Sequence, residues 1–182
     1  MNLIDRFLIW LEAERRYSPL TVRNYRHDVE EFVAWGESMA EGGEFSLQDV
    51  RGEDLREWIM SLSKAEKTIE KGGRKSRVQA YKPNSINTKA ASIKAFFTWL
   101  HAEGVISTNP IAKSPRLKTP TLRPTYITEE KMAQILKHLM VMQDSDDYLA
   151  RRDSMLVLLL YSTGIRLAEI TSLTRENFTP SW

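Results

Sequence analysis

The sequence of 182 residues contains no cysteine and only three histidines. Without cysteine there is no disulfide framework, no thiolate metal site and no cysteine nucleophile, a composition that fits a reducing compartment. The histidines, His27, His101 and His138, are too scattered along the chain to indicate the clustered ligands of a zinc or di-iron site. A disulfide scaffold is therefore excluded, and a metal centre finds no support.

Long hydrophobic runs are also missing. Charged residues interrupt the first sixteen positions, which argues against a signal peptide. The longest wholly apolar stretch, Met155 to Tyr161, is far below the roughly 20 residues needed to cross a bilayer. We therefore expect a soluble cytoplasmic protein with no membrane partner.

The net charge is small, but it is unevenly distributed. The 26 basic and 24 acidic residues give +2. Residues 1–62 carry seven basic against thirteen acidic side chains, residues 63–125 carry thirteen against three, and residues 126–182 carry six against eight. A block of +10 therefore lies between flanks of −6 and −2. Such a block is typical of polyanion binding, although a solvated lysine-rich loop gives the same count.

Hydrophobic periodicity predicts an all-α fold, because apolar residues recur at helical spacing and no segment reads clearly as a strand. Four amphipathic helices are expected between residues 3 and 103, and they would pack as one N-terminal domain at 1–104. The tryptophans of these helices occupy inward or boundary positions, which favours core packing over base stacking: Trp10, Trp35, Trp58 and Trp99.

Two segments break the helical pattern. Residues 64–82 hold seven basic against two acidic side chains around Gly72-Gly73, which indicates a flexible basic loop or extension. It would grip a phosphate backbone, act as a tether, or contact a neighbouring protomer. Residues 105–126 contain four of the seven prolines and no acidic residue, which predicts an extended basic linker between domains.

A second helical region is expected at 127–182. Thr128 has the features of an N-cap, and the apolar helix at about 147–163 is predicted to be buried on all sides. A final helix at about 166–177 would direct three apolar side chains inward: Leu167, Ile170 and Leu173.

Arg166 stands at the start of that last helix, just after the turn at Gly164. Free backbone N–H groups at a helix start favour an anion, and the guanidinium can donate two hydrogen bonds to a phosphate. Glu169, one turn later, is placed to hold the guanidinium. A surface Arg–Glu pair accounts for the same spacing.

Residues 161–173, which read YSTGIRLAEITSL, closely resemble the arginine box of the tyrosine recombinase (phage integrase) family, particularly its Xer-like members. The box follows an Arg-Asp helix, here at Arg152-Asp153, as it does in that family. Residues 18–29, SPLTVRNYRHDV, resemble the second helix of the family's N-terminal core-binding domain, and Asn109-Pro110 is like its domain exit.

The resemblance implies a SAM-like four-helix core-binding domain at 1–104, a linker at 105–126 and the start of a catalytic domain at 127–182. It implies an enzyme that cuts and rejoins double-stranded DNA at specific sites through a 3′-phosphotyrosyl intermediate, with other recombinase protomers as partners and with no metal or cofactor. Arg166 corresponds to the arginine that binds the scissile phosphate, and Glu169 to the acid that supports it.

In the family, the second and fourth helices of the N-terminal domain approach the duplex. The resemblance thus implies DNA contacts by polar residues of these helices and of the linker: Thr21, Arg23, Asn24, Arg26, Asn87, Lys89, Ser92, Lys94, Lys113, Arg116 and Lys118. Cations would contact phosphates and the asparagines could read bases. The alternative for each of these residues is that it belongs to an ordinary solvated helix face.

The family's remaining catalytic groups, which include an H-x-x-R box and a late tyrosine nucleophile, are not found before Trp182. Tyr161 precedes the box on a helix that we expect to be buried, so it is not a candidate nucleophile. We expect an N-terminal fragment of a recombinase that binds DNA weakly and does not cleave it. The alternatives are a non-catalytic helical DNA-binding accessory protein, or an adaptor for which the +10 block has no explanation.

Overall fold

The computed structural model describes residues 1–40, 45–113, 116–119 and 125–177. The chain divides into two units, Met1–Thr121 and Leu122–Trp182. Across the described ranges it forms seven α-helices, one two-stranded sheet and a short 3-10 helix, which confirms the mostly helical fold. The finer boundaries at 104 and 126 stay a prediction. No helix in these ranges combines the length and apolar content that spanning a membrane requires.

Four helices build the first unit: α1 (Leu3–Ala13), α2 (Pro19–Met39), α3 (Gly52–Lys64) and α4 (Pro83–Ala102). Local sequence accounts for where they begin. The Asn2 side chain accepts a hydrogen bond from the backbone N of Asp5 at 2.8 Å, and the Ser18 hydroxyl accepts one from the backbone N of Thr21 at 3.3 Å. Pro19 and Pro83 occupy first turns, where a missing N–H costs nothing.

The core of this unit is aromatic. Phe7 of α1 lies 5.1 Å from Phe96 of α4 between ring centroids, and Phe32 of α2 lies 5.2 Å from Trp58 of α3. All four rings are almost completely buried. Trp99 is buried as well, and the other two tryptophans of these four helices, Trp10 and Trp35, pack against the core at its margin. The structure thus agrees with the predicted packing role of these residues.

Residues 66–79 form a β-hairpin, which the sequence reading missed. Strands β1 (Glu66–Lys71) and β2 (Arg74–Gln79) pair antiparallel, from Glu66 opposite Gln79 to Lys71 opposite Arg74. Gly72 and Gly73 make the turn at φ values of 59° and 76°. Two consecutive positive φ values are typical of a two-residue type I′ turn, which matches the twist of paired strands. The segment is therefore an ordered extension between α3 and α4 instead of an irregular loop.

Among its described residues, 125–177, the second unit has three helices, α5 (Glu129–Gln143), α6 (Tyr148–Thr163) and α7 (Leu167–Thr171), followed by a 3-10 turn at Arg175–Asn177. The predicted cap at Thr128 is present, since its hydroxyl accepts from the backbone N of Lys131 at 3.5 Å. Gly164 ends α6 with a φ of 66°, a left-handed conformation that suits glycine.

The prediction that α6 is buried on all sides is wrong. Met155 is 57% exposed, and Leu156, Val157 and Tyr161 are exposed as well. The reason is that α6 packs chiefly against α5 in the described part of the chain, so its other faces stay open. The predicted inward triad after Gly164 is also only partly correct, because Ile170 is buried whereas Leu167 is 70% exposed and Leu173 lies at the surface.

A glycine in the middle of α2 generates a stability prediction. A Cβ added to Gly36 would overlap the Phe45 ring, since that ring packs directly on the helix backbone. Alanine normally stabilises a helix by about 1 kcal/mol relative to glycine. We expect Gly36→Ala instead to lower the free energy of unfolding by about 1 to 3 kcal/mol, the usual cost of overpacking. Urea denaturation measures it.

The exposed neighbour Glu37 supplies the control. Glu37→Ala changes the same helix without touching the ring, so its free energy of unfolding should stay within about 0.5 kcal/mol of the original chain. A stabilised Gly36→Ala variant would show that the Phe45 ring moves aside freely.

Candidate nucleic-acid interface

A buried polar cluster joins α2 to α4 and fixes which face of α4 points outward. Asp28 of α2 accepts hydrogen bonds from Lys89 Nζ at 3.0 Å and from Ser92 Oγ at 2.7 Å. Lys89 Nζ also donates to Glu31, and the Tyr81 hydroxyl donates to the other oxygen of Glu31 at 2.9 Å. These five residues are called the polar cluster below. Every member has a partner, as buried polar groups require.

Two pKa shifts describe the protonation of the polar cluster. Burial by itself lowers the pKa of Lys89, but hydrogen bonds to Glu31 and Asp28 and the charges of these carboxylates raise it above its usual 10.5. Burial, and then the hydrogen bond to Glu31, raise the pKa of the Tyr81 hydroxyl above 10.0. At neutral pH Lys89 is therefore a cation and Tyr81 a hydrogen-bond donor, which is what the observed contacts need.

Two of the predicted DNA contacts do not lie on a solvated helix face. Lys89 is 8% exposed and Ser92 is 4% exposed, because both point at Asp28 across the contact between α2 and α4. Both side chains donate hydrogen bonds to the carboxylate of Asp28 inside the domain. For these two residues the placement expected from the sequence is wrong, and their chemistry is structural.

On α2, the predicted contacts divide into exposed and engaged side chains. Arg23 and Asn24 are exposed on the helix surface. Arg26 is exposed too, but its guanidinium pairs with Asp5 of α1 at 3.1 Å and with Glu30 at 3.3 Å. Thr21 is half-buried, and its hydroxyl lies 2.9 Å from that of Ser18 in the helix cap.

Asn87 of α4 holds an extended stretch of chain against the helix. Its side-chain Nδ2 donates to the carbonyl of Leu117 at 2.9 Å, and its Oδ1 accepts from the backbone N of Leu117 at 2.8 Å. This two-way pairing imitates a step of a β-ladder. It leaves Arg116 and Lys118, on either side of Leu117, exposed to solvent. Among the other predicted contacts, Lys113 is exposed and Lys94 is half-buried.

A groove of about 550 Å³ runs between the outer face of α4 and residues 116–119. Amide, hydroxyl and guanidinium groups line it, contributed by Asn84, Asn87, Thr88 and Arg116. The Asn87 amide already donates to Leu117 and the Thr88 hydroxyl to the carbonyl of Asn84. The Asn84 amide and the Arg116 guanidinium are the lining donors that match phosphate and sugar oxygens, which accept most hydrogen bonds between protein and DNA. The first unit thus presents exposed donors on α2, on α4 and on the stretch that Asn87 holds.

In the second unit the structure brings Arg166 and Glu169 together. Arg166 immediately precedes α7 as its N-cap, not in the first turn as predicted. One carboxylate oxygen of Glu169 accepts from the Arg166 backbone N at 2.8 Å, and the other accepts from Nη1 at 3.0 Å. The Arg166 side chain is 83% exposed, so the pair is oriented and open to solvent. Either sequence interpretation, surface pair or phosphate-binding arginine, is compatible with this geometry.

In the comparison with known proteins, a family model matches the first unit and relatives align with nearly the whole chain. Residues 4–104 match the family model described as "Phage integrase, N-terminal SAM-like domain". Tyrosine recombinase XerD of Vibrio cholerae is 30% identical over 176 residues, covering 97% of this chain and 51% of that protein. Tyrosine recombinase XerC of Shewanella amazonensis is 31% identical over 170 residues, covering 93% and 49%. The chain therefore spans about half the length of these relatives.

One solved structure has the same fold. A Tn1549 transposon integrase, determined in complex with a circular intermediate DNA, aligns with 98% of this chain and 50% of its own at a TM-score of 0.60. The sequence identity is 16%, so the likeness concerns the fold.

The polar cluster yields a prediction about stability. Removing one partner of a buried ion pair strands the other charge, which usually costs about 3 to 5 kcal/mol. We expect Asp28→Ala to lower the free energy of unfolding by about 3 kcal/mol, since Glu31 still neutralises part of the Lys89 charge. Chemical denaturation followed by far-ultraviolet circular dichroism measures it.

The matched control removes an exposed carboxylate from the same helix. Glu30→Gln breaks the solvent-exposed pair with Arg26, so its effect should stay below about 1 kcal/mol. Equal losses in the two variants would contradict the structural role assigned to Asp28.

A second prediction concerns the stretch that Asn87 holds. Asn87→Ala removes both hydrogen bonds to Leu117, so the Leu117 amide should exchange with solvent about five to ten times faster, equivalent to about 1 kcal/mol. Hydrogen–deuterium exchange resolved by NMR measures it. Asn84→Ala, one turn earlier on the exposed surface, is the control and should leave the Leu117 rate unchanged. Unaltered exchange in Asn87→Ala would show that other contacts hold the stretch.

Proposed function

Because the chain belongs to the phage integrase family through its N-terminal SAM-like domain, we propose that it is the DNA-binding N-terminal part of a site-specific tyrosine recombinase. The observation that carries the proposal is the match of residues 4–104, which covers the four helices of the first unit except Leu3, the first residue of α1. The whole protein would cut and rejoin double-stranded DNA through a 3′-phosphotyrosyl intermediate, with other protomers of the same kind on the DNA.

The exposed donors of the first unit form the proposed contact with the duplex. Arg23, Lys113, Arg116 and Lys118 would bind phosphates, and the exposed amide of Asn24 would reach a base edge. Asn87 contributes indirectly, because it holds residues 116–119 in position. Three further residues remain proposed contacts of lower rank: Thr21, Arg26 and Lys94. The first two already bond within the domain, and the third is half-buried.

In the second unit we assign Arg166 to the scissile phosphate and Glu169 to its support. Transesterification at a phosphodiester increases the negative charge on the non-bridging oxygens, and a guanidinium already aimed at that position stabilises it. Glu169 reduces the freedom of Arg166 through both the backbone N and Nη1. The proposed division is a core-binding domain at 1–104, a linker at 105–126 and the start of a catalytic domain at 127–182.

Residues 1–182 alone are expected to bind DNA without cutting it. Incubation with a nicked suicide duplex should give no covalent protein–DNA adduct. An adduct would overturn this expectation, and absence of binding to any duplex at low salt would overturn the DNA-binding role itself. A non-catalytic accessory protein is the outcome if the complete reading frame supplies no tyrosine nucleophile.

Salt dependence tests the proposed contact. Each phosphate neutralised by a cation contributes about 0.9 to the slope of log affinity against log salt concentration. We expect Arg116→Gln/Lys118→Gln to reduce that slope by about 1.8, because both cations stand free on the held stretch. Fluorescence anisotropy of a labelled duplex between about 50 and 200 mM salt gives the slope.

The control removes two exposed arginines, one at the N-cap of α3 and one within the helix, as Arg51→Gln/Arg56→Gln. Its slope should remain that of the original chain. Equal reductions in both variants would mean that the domain binds through its overall charge and not through this face.

A further inference from the structure

The β-hairpin of residues 66–79 is the largest feature that the proposed contact leaves unused. Its described side chains are exposed apart from that of Val78, which is half-buried, and residues 64–82 carry seven basic against two acidic side chains. Three uses were open from the sequence, namely a phosphate contact, a tether or a contact with another protomer. The anchoring of the hairpin base argues against the tether, and the register of the strands favours the phosphate contact.

The hairpin is fixed to the domain at its base. The backbone N of Ala80 donates to the carbonyl of Ala65 at 2.8 Å, and the side chain of Gln79 donates to the carbonyl of Ser63 at 2.9 Å. Tyr81, the next residue, belongs to the polar cluster through Glu31. These contacts tie the hairpin to α3 and α2, which argues against a loose tether. The chain then enters α4 beside Asn84, one of the residues of the proposed groove.

The register separates the hairpin's charges into two sides, because side chains alternate along a strand and opposed residues share a side. The first, here called the glutamate side, has the pairs Glu66–Gln79, Thr68–Arg77 and Glu70–Lys75. The second, called the lysine side, has the pairs Lys67–Val78 and Ile69–Ser76. Both acidic residues of the hairpin are therefore on the glutamate side.

This separation gives the two sides different electrostatics. On the glutamate side, two carboxylates offset Lys75 and Arg77, so an approaching anion meets as much repulsion as attraction. On the lysine side, Lys67 stands among apolar and hydroxyl neighbours, and Ile69 and Ser76 are exposed there. A polyanion can approach this side without facing a carboxylate of the hairpin.

We propose that the lysine side of the hairpin lies along the phosphate backbone of the bound duplex, next to the contact made by α4 and residues 116–119. The inference rests on the proposed DNA-binding function and extends its footprint. Six-residue strands reach about 17 to 20 Å, enough to follow the backbone beyond the groove. The contact adds affinity and salt dependence without reading sequence, as phosphate contacts do.

Two matched pairs of variants test the proposal in the full chain. Lys67→Gln removes a charge from the lysine side, and Lys75→Gln removes one from the glutamate side. Ser76→Lys adds a charge to the lysine side, and Thr68→Lys adds one to the glutamate side. All four positions are exposed, so folding is not at stake, and circular dichroism confirms it.

Anisotropy titrations of a labelled duplex of unrelated sequence give the salt slope for each variant. Lys67→Gln should reduce the slope by about 0.9 and Ser76→Lys should raise it by about 0.9, equivalent to about a threefold change in affinity between 50 and 200 mM salt. Lys75→Gln and Thr68→Lys should change the slope by less than half as much, since their side faces away from the duplex.

Two other results would overturn the inference about the hairpin without affecting the proposed function. Equal changes on both sides mean that the hairpin acts only through its total charge. Unchanged slopes together with altered self-association on DNA, measured by sedimentation, mean that the hairpin contacts a second protomer. In both cases the original chain still binds DNA and the proposed function stands. If the original chain binds no duplex at low salt, the proposed function itself fails.

Discussion

The ion pair between Lys89 and Asp28 is the constraint on which the first unit depends. Apolar ridges allow helices to shift by small amounts, whereas a buried charge is tolerated only where its partner meets it. With Ser92 on the second carboxylate oxygen, α2 and α4 have one satisfactory register. We infer that the pair contributes more to specifying this arrangement than to net stability, because a well-packed apolar pair of similar volume would be about equally stable.

The register of α2 against α4 determines which side chains the domain exposes to solvent. Since Lys89 and Ser92 face α2, Asn87 is turned toward the stretch at 116–119 and holds Leu117 by two hydrogen bonds. Tyr81 extends the same cluster to the base of the hairpin. The exposed cations Arg116 and Lys118 are thus carried by an extended segment that α4 positions, and the helix itself supplies mainly amide and hydroxyl groups.

Local signals in the sequence account for much of the fold, and the failures have physical causes. The cap at Ser18, the turn at Gly164 and the burial of Trp58 are consequences of short-range chemistry or of residue size. Lys89 could not be placed from periodicity, since a polar residue at a boundary position reads as solvated until its partner on another helix is known. The exposure of α6 could not be predicted from periodicity either, because the burial of a helix depends on which elements pack against it.

The hairpin shows a different limit. Its strands are mostly polar on both sides, so the alternation that marks a half-buried strand is absent, and the Gly-Gly turn was the remaining signal. The same composition explains why the net charge of +10 in the middle of the sequence overstates what a ligand meets. Lys89 is neutralised inside the domain, and two hairpin cations share a side with Glu66 and Glu70. The positive electrostatic field that a polyanion meets is therefore weaker than the net charge of +10 suggests, and it is more directional. This favours a defined orientation on DNA over diffuse attraction.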